Sequence, residues 1–259
     1  CAFYLTEDHS VKRFTREKPD VRYIQVLYAK NKIGFQNLSK LCSEGHVNGT
    51  YNDFPRIDKN LILKYKEGLI ASTSGIRGVV SQLIIKSNTS DVYNDEFLWW
   101  KNNFKEDFYI QLNRNDLEFE KEVNKVLLSL SSNYKVKYYC SNDVFYINKE
   151  DHDTHDSLLC IGKGALKDTP IGKGRGFRYG LPNNEFYFKS SQDMSELFHD
   201  LPESFETLNE IYDKIDVYDL SREVVMPEYV LPESFPNQDD YLKHLCYEGA
   251  KVRYESIDI

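Results

Sequence analysis

Residues 108–140 read FYIQLNRNDLEFEKEVNKVLLSLSSNYKVKYYC, and this stretch decides the fold. Its first five residues, 108–112, are aromatic or aliphatic around one glutamine, the chemistry of a short strand. Phe119, Val123, Val126, Leu127 and Leu130 then recur at helical spacing. That spacing predicts a helix over 118–131 with one apolar stripe. Glu118 and Glu120 in its first turn suit the positive end of the helix dipole. Residues 136–140 (VKYYC) return to strand chemistry. A strand, a helix and a second strand joined by short links make a crossover unit, which implies parallel strands.

The same grammar runs outward from this unit. Residues 3–5, 23–29 (YIQVLYA) and 69–71 read as strands, and 33–42 as a helix with Leu38, Leu41 and Cys42 on one face. About four to five such units predict an α/β fold, layered or barrel-like, with parallel strands and crossover helices; a closed barrel needs more. The chain starts at Cys1 without a methionine, in keeping with an absent upstream piece. Residues 162–180 (GKGALKDTPIGKGRGFRYG) hold six glycines and five basic residues and read as a loop or insertion. Helical spacing resumes over 197–217, broken at Pro202. Pro227, Pro232 and Pro236 mark a linker, after which Asp239 or Asp240 is expected to cap a last helix.

Composition narrows the function. At 41% hydrophobic the chain can bury a core, and a net charge of −8 argues against a surface built mainly to grip phosphates. Cys1, Cys42, Cys140, Cys160 and Cys246 form no Cys-x-x-Cys pair, so free thiols in a reducing compartment are expected. There is no apolar run long enough for a membrane span. The sequence reads as cytoplasmic.

Several blocks, in order, resemble the alpha subunit of bacterial DNA polymerase III, a C-family replicative polymerase, in the region of its PHP (polymerase and histidinol phosphatase) domain. They include 27–31 (LYAKN) with 34–38 (GFQNL), 55–59 (PRIDK), 67–71 (EGLIA) and 141–144 (SNDV) with Tyr146. Further along come His155-Asp156, 185–190 (EFYFKS), 200–203 (DLPE) and, near the end, 248–250 (EGA) with Arg253-Tyr254. The resemblance implies a distorted, incomplete PHP-type α/β barrel over residues 1–230, its amino-terminal third missing. A linker and the start of the polymerase palm would follow over 231–259. It also implies partners: the rest of the alpha subunit, a proofreading exonuclease subunit, and DNA through the parent protein. Mg²⁺ would serve the parent polymerase through palm carboxylates beyond Ile259, with no cofactor in this stretch.

By the same resemblance, the PHP metal ligands fall on unsuitable residues. The glutamate position is Ala2, the strand histidine Ile24, and the Arg-His pair Arg114-Asn115. In the Asp-x-His motif Asp143 survives and Phe145 replaces the histidine. Alanine, isoleucine and phenylalanine offer no lone pair, and an asparagine amide is a poor substitute for imidazole. The expected role is therefore a catalytically inactive scaffold or docking domain. The competing expectation is a residual metal-dependent phosphoesterase or 3′–5′ exonuclease.

Three other features compete for a role. Asp143, His152 and His155 form a conceivable weak metal site, set against helix capping by the surrounding aspartates. Lys163, Lys167, Lys173, Arg175 and Arg178 offer contacts to nucleic acid or a partner, set against a plain basic loop. Ser72-Thr73-Ser74-Gly75 follows a strand and is expected to cap a helix.

Overall fold

The computed structural model describes residues 1–87, 89–172, 174–221, 223–224 and 229–254. The chain divides into two compact units, Cys1–Tyr218 and Asp219–Ile259. In the first, six strands form one sheet: β1 (Ala2–Leu5), β2 (Tyr23–Ala29), β3 (Arg56–Ile57), β4 (Leu69–Ser72), β5 (Phe108–Asn113) and β6 (Tyr138–Ser141). Their order across the sheet is β3-β1-β2-β4-β5-β6. The helices among the described residues of this unit are α1 (Lys32–Val47), α2 (Lys59–Lys64), α3 (Val79–Lys86), α4 (Ser90–Phe104), α5 (Glu118–Tyr134), α6 (His152–Lys163), α7 (Ser191–Leu197) and α8 (Glu203–Asp213).

The α/β class read from the sequence is borne out, and the β5-α5-β6 crossover is parallel, with Ile110 opposite Tyr138 and Leu112 opposite Cys140. One strand departs from the all-parallel expectation. β2 is antiparallel to both β1 and β4, while β1 and β3 pair in parallel and so do β4 and β5. The reason lies in the link before it. Residues 6–22 contain no helix, and a strand that returns beside its predecessor without a crossover runs the other way.

Alternation along the strands sorts the core. One sheet face carries Leu5, Leu27, Leu69, Ala71, Phe108, Ile110 and Leu112, packed with Leu41 of α1, Val80 of α3, Trp100 of α4, and Val123 and Leu127 of α5. The other face carries Ile70, Tyr109 and Tyr139 under Leu208 and Ile211 of α8. Lys214 and Glu210 tie α8 down through Tyr109 Oη, at 2.6 and 2.8 Å. Burial and the neighbouring Glu210 carboxylate push the Tyr109 phenol well above its ordinary range.

Local signals explain most element ends. Asn31 caps α1, its Oδ1 accepting from Gly34 N at 2.9 Å. Gly34 is required there because a Cβ would lie 2.0 Å from Gly68 O, and Gly68 itself sits at φ +71°. In α5 the buried positions are Glu120, Val123, Leu127 and Leu130. Phe119, placed on the stripe by spacing, is 46% exposed; the helix turns Glu120 inward instead. Pro202 separates α7 from α8, as its missing N–H requires.

The second unit holds α9 (Gln238–Arg253). Its cap is Asn237, whose side chain accepts from Asp240 N at 2.9 Å, so Asp239 and Asp240 occupy the first turn. Tyr241 packs on Tyr229 and Phe235. Pro227 lies outside the described residues.

Candidate functional site

Because β4, β5 and β6 are parallel neighbours, their carboxyl ends lie side by side, the usual place for a site in an α/β sheet. The residues there are Ser72–Ser74, Asn113–Asn115 and 141–143. They bond chiefly to neighbouring strands and helices. Gln111 N donates to Thr73 Oγ1 at 2.9 Å, and Tyr139 Oη donates to Gln111 Oε1 at 3.1 Å. Gln25 Nε2 donates to Ser72 O at 2.9 Å, and Ser74 Oγ accepts from Val26 N at 2.7 Å. The serines and threonine thus stitch strands together. They do not cap the following 3-10 turn, since Ser74 sits at φ +63° with no side-chain cap bond.

Arg114 and Asn115 are both occupied. The Arg114 guanidinium grips Asp200 with two bonds, at 2.6 and 2.8 Å, and donates to Leu197 O at 2.6 Å. Asn115, only 1% exposed, gives its backbone N–H to Glu120 Oε2 at 2.7 Å and its side-chain amide to Glu120 Oε1 at 3.0 Å. Glu120 also reaches back to Leu117 N at 3.3 Å. Its buried carboxylate is held by three N–H groups at the start of α5, a favourable place for a negative charge.

The remaining positions hold strand residues, an aromatic ring and one carboxylate. Ala2 faces Val26 and Ile24 faces Tyr4 across β1 and β2. Phe145 packs against Phe186 and the ring of His155. Asp143 is half-buried and makes no hydrogen bond among the described residues. Burial raises its carboxyl above the ordinary range, and the Arg77 charge works against that rise.

His152 and His155 both pack on the Tyr146 ring, at 6.0 and 5.4 Å between centroids. Among the described residues they do not converge with Asp143 on one point. The cluster that does is Asp8, His9 and Asp58, whose potential ligand atoms lie within 4.8 Å of one another. Their lone pairs are largely spent. Asp58 Oδ1 caps α2 through Leu61 N at 2.9 Å, its Oδ2 meets His9 Nδ1 at 2.5 Å, and Asp8 Oδ1 accepts twice from Ser10. The arrangement is a helix cap and a turn.

The glycine-basic segment also differs from a free basic loop. Arg178, 8% exposed, forms a two-bond pair with Asp156 at 2.6 and 2.8 Å and donates to Thr169 O and Lys167 O. That side chain is therefore engaged within the protein. Its guanidinium holds the Asp156 carboxyl below the usual carboxylate range. Lys167 pairs with Asp153 at 2.6 Å. Lys163 and Arg175 are exposed and carry no ion pair among the described residues. Lys173 lies outside them.

Sequence reasoning missed what three residues do: Glu120 in holding Asn115, Asp58 in capping α2, and Arg56 in tying down the β1–β2 link. Asp58 was legible as a cap, since it precedes the apolar run 61–63 (LIL). The bonds of Arg56 reach Asp20, His9 and Val11, 36 to 47 residues away, and have no local signal.

Residues 1–115 match the PHP domain. That match is in keeping with the α/β class that the chain's strands and helices define. Beyond that domain, similarity extends over almost the whole chain to subunits of one polymerase. The DNA polymerase III subunit alpha of Borreliella burgdorferi is 37% identical over 249 residues, covering 95% of this chain and 21% of the relative. That of Campylobacter jejuni is 32% identical over 92% of this chain, and that of Treponema pallidum 28% identical over 98%. The resemblance read from the sequence blocks is borne out. The chain spans about a fifth of the length of these curated relatives. Among the described residues, no helix is long and apolar enough to cross a membrane.

Proposed function

We propose that this chain is the PHP region of a replicative DNA polymerase III alpha subunit and serves as a catalytically inactive scaffold. Its partners on this reading are the rest of the alpha subunit and a proofreading exonuclease subunit, with DNA and Mg²⁺ engaged by the parent polymerase elsewhere. The observation that carries the reading is the fate of Asn115 and Phe145. The amide at the Arg-His position is locked onto Glu120, and the Asp-x-His position holds a phenyl ring packed against Phe186. Such a donor set does not fit a multinuclear metal centre, which needs imidazole and carboxylate lone pairs directed at one point. Metal analysis of the purified chain, with calorimetric titration of Zn²⁺ and Mn²⁺, is expected to find no tightly bound cluster. Two or more firmly held ions per chain would sink the proposal.

A second reading, residual phosphoesterase or 3′–5′ exonuclease activity, draws on Asp143. A desolvated carboxylate without a hydrogen bond is a feature of functional sites. It also sets a pH dependence. The folded chain holds the Asp143 proton more tightly than the unfolded chain does. Stability therefore falls as pH rises from the ordinary carboxyl range, about 4, through the raised value. At neutral pH the ionised group costs stability. Asp143→Asn is expected to raise the urea midpoint at pH 7, with the advantage fading as pH drops below about 4. Equal midpoints at pH 7 would contradict the desolvation account.

A further inference from the structure

A small cavity of about 10 Å³ lies between Gly75, Ser81 of α3, Asn113 of β5, and Glu120 and Leu127 of α5. Two polar atoms of its lining residues have no protein partner among the described residues, Ser81 Oγ and Asn113 Nδ2. Both residues are buried, Ser81 at 0% and Asn113 at 3% exposure. The other polar groups of Asn113 are engaged: Oδ1 accepts from Gln111 Nε2 at 3.3 Å, and the backbone carbonyl accepts from Asn124 Nδ2 at 2.8 Å. What remains is one amide donor and one hydroxyl, which can give or take, on residues lining the same cavity. Buried polar groups left in this state are ordinarily satisfied by internal water.

We propose that this cavity is a binding site for a single buried water molecule. It accepts a hydrogen bond from Asn113 Nδ2 and shares another with the Ser81 hydroxyl. The wall selects the ligand. A single water matches both the unpartnered N–H of Asn113 and the Ser81 hydroxyl, and anything larger is excluded by a volume about that of one water centre. Gly75 belongs to the site for a steric reason. At φ +59°, a Cβ there would come within 2.5 Å of Asn113 Oδ1 and force the amide from its place. The water links the first turn of α3 to the end of β5 beside Glu120, the residue that fixes Asn115. It is thus an internal brace for the strand-end loops, whatever the chain's wider role.

A crystal structure of the chain at a resolution that orders internal water is expected to show one peak within hydrogen-bonding distance of both Ser81 Oγ and Asn113 Nδ2. Magnetic relaxation dispersion of water is expected to count one fewer long-lived molecule in Ser81→Val, whose methyl groups occupy the cavity. Density that lacks the peak, with either side chain turned onto a protein partner, overturns the proposal. So does an unchanged count in Ser81→Val. Should that variant fail to fold, the density of the unaltered chain decides alone.

Discussion

Replacing Arg56 by methionine is expected to lower the unfolding free energy by about 3–5 kcal/mol, the usual loss when one partner of a buried charge pair is removed. Its residue is 0% exposed, and the guanidinium is used on every side. Nε donates to Gly49 O at 3.0 Å and Nη1 to Asp20 Oδ1 at 3.0 Å, while Nη2 donates to His9 O at 3.2 Å and Val11 O at 2.7 Å. The rings of Phe14 and Tyr51 each lie 5.2 Å away. Arg56 thereby gathers the helix-free link between β1 and β2, a segment without an apolar stripe of its own. Methionine fills similar space but leaves Asp20 with only Arg22 and strips three carbonyls of their donor. Arg56→Lys separates charge from geometry: one ammonium cannot reproduce the planar fork, so most of the loss should remain. Urea denaturation of both variants reads the effect. A lysine variant as stable as the parent would show that charge alone suffices.

The second large effect is expected at Leu127, 1% exposed on α5 and packed into the main core. Leu127→Asp forfeits the apolar burial and leaves a carboxylate with no partner, a loss of at least about 4 kcal/mol. Against a typical domain stability of about 5–15 kcal/mol, that leaves much of the chain unfolded. On the scaffold proposal, the parent polymerase should lose exonuclease co-purification and assembly before its chemistry. Asp143→Ala in the same protein should leave primer extension nearly intact, because on that proposal no metal depends on the carboxylate, which makes no hydrogen bond among the described residues. If Asp143→Ala abolishes a 3′–5′ exonuclease or phosphoesterase activity while circular dichroism stays unchanged, the enzymatic reading replaces the scaffold.

The contrast between those two residues tracks what the sequence could reveal. Val123, Leu127 and Leu130 were legible because helical periodicity is local, and β2 was bounded correctly over Tyr23–Ala29 by its β-branched and aromatic run. The direction of β2 was not legible, since pairing depends on partners 24 and 44 residues away, as in Ala2 with Val26 and Leu27 with Ala71. Arg178 looked like a free cation because its partner Asp156 stands 22 residues earlier. Glu120 and Asn115 are near in sequence, yet the cap was hidden: Leu117, at the cap position, has no polar side chain to announce it.

The meeting of Gly34 and Gly68 makes two distant positions answer for each other as the sequence drifts. A methyl group at 34 would enter the space of the Gly68 carbonyl. One at 68 would meet Asn31 Oδ1 at 2.4 Å and Gly34 N at 2.6 Å, besides forcing an L-residue to φ +71°. Both intrusions claim the same volume, so the second cannot repair the first. Substitution elsewhere in the core can be compensated by a smaller neighbour, but no residue is smaller than glycine. The corner where α1 crosses the start of β4 is therefore fixed in composition by backbone meeting backbone, independently of what the rest of the chain is selected to do.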